Sequence, residues 1–171
     1  GFFRTGDLGS LDGKGRLTIH GRLGTALVTT WGKKVAPARW ELQVEKSRLV
    51  ARAVMVGDGR PFLSVLLLLD REAVIEWARR HVRPTLASQV ARIAATPEGV
   101  VVDDQALRHR LAKDVDRANA AVSRAEQVRK ILPLIVDMRP GGSIITPTLT
   151  LRREAFLAAA SGHIEALYAD E

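Results

Sequence analysis

Two apolar runs set close together limit most strongly what this chain can fold into. Residues 51–56 (Ala-Arg-Ala-Val-Met-Val) and 62–69 (Phe-Leu-Ser-Val-Leu-Leu-Leu-Leu) are separated only by Gly57-Asp58-Gly59-Arg60-Pro61. Short runs rich in β-branched residues and leucine, broken by glycine and proline, read as two strands joined by a turn. A half-exposed strand would alternate apolar with polar residues. These runs are nearly continuous, so the sheet they enter is covered on both faces. The unbroken stretch Val65 to Leu69 is far shorter than the roughly 20 apolar residues of a membrane-spanning helix.

Around this pair the chain divides into further elements. Asp12-Gly13-Lys14-Gly15, flanked by Leu11 and by Leu17 and Ile19, predicts a hairpin. Gly21-Arg22-Leu23-Gly24 interrupts the pattern, as a boundary where backbone torsions change or as a plain turn. Ala26 to Thr30 reads as a strand and Trp31-Gly32-Lys33-Lys34 as a turn, and Pro37 opens a helix carrying Trp40, Leu42 and Val44 toward Leu49. Asp70 is placed to cap a helix through Ala73, Val74, Trp77 and Ala78, ended by Pro84. A short helix from Leu86 to Ala95 follows. Asp103 or Asp104 then caps a longer one through Leu107, Leu111, Val115 and Ala118. Val128 to Val136 returns to strand character, with Pro133 arguing for an edge position or a bulge, and one final helix is expected from about Arg152 to Tyr168. The expected fold class is α+β, a small three-stranded mixed sheet flanked by helices and preceded by a short hairpin.

Charge and composition narrow the function. A net charge of +7 and a pI near 10.5 favour anionic ligands. Nucleic acid is not the expected partner, because the chain has no aromatic-interleaved basic cluster, zinc-finger spacing or RNA-binding signature. The absence of cysteine excludes disulfides, thiolate metal sites and cysteine nucleophiles. His20, His81, His109 and His163 are scattered, so no metal site is expected, and no Gly-x-Ser-x-Gly elbow supports a serine nucleophile. The amino end lacks the basic-then-apolar pattern of a signal peptide, which makes a cytoplasmic domain the expectation. With 171 residues the chain holds one core of ordinary size, or a small domain with the tail of a neighbour.

Several residues have chemistry suited to a nucleotide. Asp7, after Gly6, either caps its turn or offers two oxygens to adjacent hydroxyls such as those of a ribose. Arg22, between glycines, carries a fork that grips ribose and phosphate oxygens. Trp31 is either a core aromatic, packed on Trp40 or Trp77, or a wall beside a passage. Arg60 either completes its turn or reaches a phosphate.

Taken together, these phrases resemble the carboxyl-terminal portion of an AMP-forming acyl-CoA ligase of the long-chain fatty acid type. Gly1-Phe2-Phe3-Arg4-Thr5-Gly6-Asp7 resembles that family's Gly-Trp-Phe-x-Thr-Gly-Asp motif. Gly21-Arg22 is similar to its hinge, Gly32 to Pro37 to its Gly-Gly-Lys-Asn-Val-Ala-Pro stretch, and Gly57 to Leu63 to its Gly-Asp-x-Arg-Pro-Phe/Tyr-Leu turn. Ile145 to Arg153 resembles Leu-Thr-Pro-Thr-Leu-Lys-Leu-Lys/Arg-Arg, with Thr150 where the family has its catalytic lysine.

The resemblance implies that residues 1–22 are the end of a large nucleotide-binding domain with the hinge approach, and that 23–171 form the mobile C-terminal lid. It implies that Asp7 binds the ATP ribose, that Arg22, Lys33 and Arg60 contact ATP or CoA, and that Gly24 is the pivot. Arg22 and the Thr150 position are then the catalytic candidates. Fatty acid, ATP and CoA are the implied substrates, with Mg2+ held through the large domain. The partner is that large domain, and peripheral membrane contact stays open, as does oligomeric state. The chain by itself is expected to be inactive, since the phosphate loop and acyl tunnel belong to the large domain. Thr150 and Gly24 depart from the family pattern and favour an alternative, a degenerate lid serving regulation or protein binding. An acyl-adenylate enzyme using another acceptor fits the Thr-Pro-Thr-Leu and Arg-Pro-Phe-Leu phrases less well.

Overall fold

The computed structural model describes residues 7–22 and 26–169. It opens with a hairpin of β1 (Asp7–Leu11) and β2 (Leu17–Arg22), whose turn is held by Asp12. The Asp12 carboxylate accepts the backbone N–H groups of Lys14 and Arg16, each at 2.9 Å, and Gly15 supplies the φ of 75° that closes the turn. A second, minimal ribbon pairs β3 (Leu27–Val28) with β4 (Lys34–Val35). Helix α1 (Pro37–Val44) starts on its proline, and β5 (Val50–Val56) and β6 (Leu63–Leu69) follow as the antiparallel pair.

Asp70 caps α2 (Arg71–Arg80), accepting the Ala73 N–H at 2.9 Å. Pro84 does not end that helix: α2 has already closed at Arg80, and Pro84 is the first residue of α3 (Pro84–Arg92), where a missing N–H costs nothing. A two-residue strand, β7 (Val100–Val101), precedes α4 (Gln105–Asn119), which Asp104 caps through the Leu107 N–H. Strand β8 (Val128–Ile135) completes the sheet. The expected single final helix is two, α5 (Arg153–Ala159) and α6 (Ser161–Tyr168), broken at the buried Ala160.

The mixed sheet runs β5-β6-β8-β7, with β6 and β8 parallel and the outer pairs antiparallel. It has four strands, one more than expected, because β7 is too short to show a pattern. Pro133 lies on an interior strand and outside any bulge, contrary to expectation. Its carbonyl accepts the Val102 N–H at 3.0 Å, so its absent N–H faces the same side, just where β7 has ended. A proline is tolerated there because β7 has ended at Val101, so the N–H it lacks removes a ladder bond only at the strand's end, opposite Val102.

Every residue of β6 is buried, and its alternate residues serve two cores. Leu63, Val65, Leu67 and Leu69 pack with α1 to α4, while Leu66 and Leu68 pack with Phe156, Leu167 and Tyr168 of α5 and α6. That is the two-faced cover demanded by the apolar runs. Asn119 ties three elements together: its side chain accepts the Trp40 indole N–H at 2.9 Å and bonds both the N–H and the carbonyl of Val128.

The outer edge of β5 is sealed by α1. Glu41 and Glu45 accept the N–H groups of Met55 and Ala53 at 2.7 and 2.9 Å. Four residues of helix rise about 6 Å and two residues of strand about 6.6 Å, so one helix face can service alternate strand amides. An edge closed by carboxylates cannot recruit another strand.

Candidate functional site

The first group of candidate residues lies on the hairpin. Asp7 and Arg22 are directly opposite each other in the β1–β2 register, one at the start of the first strand and one at the end of the second. Hairpin pairing thus brings together two residues that lie 15 positions apart in the sequence. Gly24 lies outside the described residues.

The second group is a pair of interlocked turns. The Thr29–Lys33 turn is closed by the Thr29 N–H on the Lys33 carbonyl at 3.1 Å, with Gly32 at a φ of 72°. With the preceding Val28 it docks onto the Gly57–Pro61 turn, chiefly through four bonds. The Thr30 N–H reaches the Arg60 carbonyl at 3.1 Å, the Gly59 N–H reaches the Val28 carbonyl at 2.8 Å, and the Asp58 carboxylate accepts the Val28 N–H at 2.8 Å. The Trp31 indole donates to the Pro61 carbonyl at 3.2 Å. The two motif turns therefore form one rigid unit. Gly57 is required in it: its φ is 143°, and a Cβ there would meet the Leu63 side chain at 2.8 Å and the Phe62 carbonyl at 2.9 Å.

Trp31 is not a core residue. It is 81% exposed and packs on neither Trp40 nor Trp77, because its indole hydrogen bond holds the ring out along the turn. It walls a cleft of about 320 Å³ lined also by Thr29, Lys33, Phe62, Arg124 and Arg129. Arg129 lies over the Phe62 ring at 5.7 Å. Three cations and two aromatic rings, with no carboxylate in the lining, suit an anionic ligand that also carries a flat or apolar part. Lys33 faces this cleft, as a binding residue would. Arg60 does not: its guanidinium pairs with Glu165 and lies 4.9 Å from the Tyr168 ring, anchoring the turn to α6. Arg124 and Arg129 were not singled out from the sequence, where they stand outside any motif.

The third group is a tight hairpin between Ile144 and Arg152. The Arg152 N–H donates to the Ile144 carbonyl at 2.8 Å, Ile145 bridges Leu151, and the Thr146 N–H donates to the Thr150 carbonyl at 2.9 Å. The Thr146 hydroxyl oxygen accepts the Thr150 N–H at 3.0 Å. Leu149 takes a φ of 63° at the tip. Thr150 is exposed, and its own hydroxyl has no hydrogen-bond partner among the described residues. The root is fixed by buried Ile144 and Ile145, and by Arg153, which donates to Glu41 at 2.8 Å and to the Met55 carbonyl at 2.7 Å. Burial pushes the Glu41 carboxyl above its ordinary range, outweighing the pull of Arg153. Arg152 is exposed and unpaired among the described residues.

Among the described residues no cluster of three His, Cys, Asp or Glu could hold a metal, and no helix is long and apolar enough to cross a membrane. A chain with this mixed sheet, its two interlocked turns and an exposed threonine hairpin matches, over residues 25–99, the family described as the AMP-binding enzyme C-terminal domain. Its fold is that of the corresponding part of solved adenylation domains of carboxylate reductases. One from Mycobacterium chelonae gives a TM-score of 0.67 at 21% identity, covering 97% of this chain and 23% of that one. Another from Segniliparus rugosus, in complex with AMP and a co-purified carboxylic acid, gives 0.70 at 18%, covering 96% and 23%. Residues 25–99 thus carry the C-terminal domain of adenylate-forming, AMP-binding enzymes.

Within that class the chain is related to fatty-acid–CoA ligases. It is 38% identical, over all 171 residues, to the long-chain-fatty-acid–CoA ligase FadD15 of Mycobacterium tuberculosis. It is 30% identical, over 98% of its length, to the long-chain-fatty-acid–CoA ligase heimdall of Drosophila melanogaster. It spans 27% and 29% of those relatives.

Proposed function

We propose that this chain is the hinge approach and lid of an AMP-forming long-chain fatty acid–CoA ligase. In the first half-reaction the fatty acid carboxylate attacks the α-phosphorus of ATP, forming acyl-adenylate and releasing pyrophosphate. In the second the CoA thiolate attacks the acyl carbonyl and AMP leaves. Asp7 holds the ATP ribose, Arg22 grips ribose and phosphate oxygens beside it, and Gly24 is the pivot between the two lid positions. Lys33 meets CoA on entry, and Arg60 fixes the turn beside it. Mg2+ is held by the large domain, the partner of this chain. The cleft walled by Trp31 and lined by Lys33, Arg124 and Arg129 is the observation that carries this reading, since its charge and its aromatic walls suit a ligand with phosphates and an aromatic base. The exposed Leu11 and Leu17, paired across the hairpin, support its packing against a larger domain.

One feature favours a second reading, a degenerate lid acting in regulation or protein binding. Thr150 offers no positive charge where the family's lysine meets the transferring phosphate. Thioester formation from synthetic acyl-adenylate and CoA, in a protein joining this chain to its large domain, separates the two. A lid that serves catalysis loses at least about tenfold in rate with Lys33→Glu, because a charged contact is inverted. An unchanged rate, or no thioester at all from the parent protein, supports the second reading.

A further inference from the structure

The Thr150 hairpin has no cation at position 150 but presents one two residues on. Ile145 and Leu151 face each other across the ribbon. Ile145 is fully buried in the core shared with α5 and α6, and the half-buried Leu151 packs against that core. Side chains alternate along an extended chain, so Thr150 and Arg152, on either side of Leu151, project together from the opposite side of the strand. Both are exposed. Backbone bonds fix the two positions: the Thr150 carbonyl accepts the Thr146 N–H at 2.9 Å, and the Arg152 N–H reaches the Ile144 carbonyl at 2.8 Å. Two residues of extended chain span about 6.6 Å, a distance that an arginine side chain covers. The Arg152 guanidinium can thus stand over the Thr150 hydroxyl.

The cations of this part of the chain, from Asp137 to Arg153, are Arg139, Arg152 and Arg153. Arg139 is closed on Asp137 by side-chain bonds of 2.6 to 3.0 Å. Arg153 is held by Glu41 at 2.8 Å and by the Met55 carbonyl at 2.7 Å. Only the Arg152 guanidinium is free among the described residues. An uncompensated charge beside a neutral threonine is available to a ligand, whereas a paired one must first give up its partner. Guanidinium is planar, stays protonated and offers N–H donors spaced for two oxygens of one phosphoryl group.

We propose that Arg152 is a catalytic residue of adenylation, supplying part of the positive charge that Thr150 does not. This role rests on the ligase reading above. As a carboxylate oxygen of the fatty acid bonds to the α-phosphorus, the bond from that phosphorus to pyrophosphate breaks and its electron pair leaves with the pyrophosphate. No proton moves. The Arg152 guanidinium donates to the two non-bridging oxygens of the α-phosphorus, where negative charge develops. A lysine at 150 needs no reach along the strand, so it serves better than Arg152 and makes it dispensable.

Single-turnover rates of adenylation and of thioester formation are measured in a protein joining this chain to its large domain. The comparison is between the parent and Thr150→Lys, each with and without Arg152→Ala. In the parent, Arg152→Ala lowers adenylation at least about tenfold and changes thioester formation less than about threefold, with the urea midpoint unaltered. In the Thr150→Lys background the same substitution lowers adenylation less than about threefold, because the lysine carries the charge. Arg152→Lys, which keeps the charge and loses the fork, costs less than Arg152→Ala. Adenylation at the parent rate by Arg152→Ala would overturn this role. So would an equal loss in both backgrounds, since Arg152 would then not be standing in for position 150. If Thr150→Lys adenylates and the parent does not, the role of Arg152 fails while the ligase reading stands; if neither adenylates, both fail.

Discussion

Arg153 and Glu41, 112 positions apart, are joined at 2.8 Å, and the same guanidinium also donates to the Met55 carbonyl that lies beside the amide Glu41 accepts. One arginine therefore roots the Thr150 hairpin on the helix and strand that carry the lid's core. Both side chains are mostly withdrawn from water, at 22% and 12% exposure, so screening is weak. Arg153→Ala is expected to destabilise the chain by about 3 kcal/mol, because it strands a buried carboxylate. Arg153→Ala combined with Glu41→Gln should recover most of that loss. Urea titrations of the two singles and the double measure the coupling directly, and additive losses would show that the pair does not act as a unit.

The same carboxylate gives a pH signature. Burial raises the Glu41 carboxyl above its ordinary 4.5, so in the window above that value the folded chain holds a proton that the unfolded chain has released. Stability from this group is therefore highest below 4.5 and falls as pH rises through the raised value. Asp12 and Asp137, held below 3.8 by Arg16 and Arg139, titrate beneath the window. Glu41→Gln should flatten the decline, as read from urea midpoints at a series of pH values between 4.5 and neutrality; an unchanged slope would rule Glu41 out as its source.

At Gly57 the backbone and the packing agree. With φ at 143° and no room for a Cβ, Gly57→Ala should cost about 2 kcal/mol or more and loosen the interlock with the Trp31 turn. Hydrogen exchange at the Gly59 and Thr30 amides is the measurement, and both should speed up together. Exchange that is unaltered at Thr30 would mean that the two turns are not coupled.

Val82 gives the opposite sign. Val82→Gly relieves a strained left-handed valine whose side chain is exposed, and a gain of about 1 kcal/mol in thermal stability is expected. A loss would show that the valine packs in solution against something that its exposure does not reveal.

What could be read in the sequence follows from how local each signal is. The unbroken apolarity of residues 62–69 demanded cover on two faces, and Asp70 and Asp104 announced their helices because a cap acts within three residues. Strand β7 was invisible at two residues, and Pro133 read as an edge or bulge because the end of its neighbouring strand is a tertiary fact. Trp31 on the surface was equally hidden, since an indole in a turn and one in a core look alike until its N–H partner is known. The motif residues stood out through resemblance, whereas Arg124 and Arg129 carry no motif and join Lys33 only through folding. The Glu41–Arg153 link had no local signal, as its partners come from opposite ends of the domain.

The central claim, that the hairpin carrying Thr150 is a lid element of an adenylating active site, is tested most directly by Thr150→Lys. The substitution is structurally permitted: Thr150 is exposed, its hydroxyl is unbonded among the described residues, and its hairpin bonds use only its backbone. A lysine there would place positive charge where negative charge develops on the α-phosphorus. Single-turnover rates of adenylation and of thioester formation, measured separately in a protein joining this chain to its large domain, give the comparison. Adenylation is expected to rise at least about tenfold, with thioester formation little changed. Equal adenylation rates in parent and variant would contradict the account.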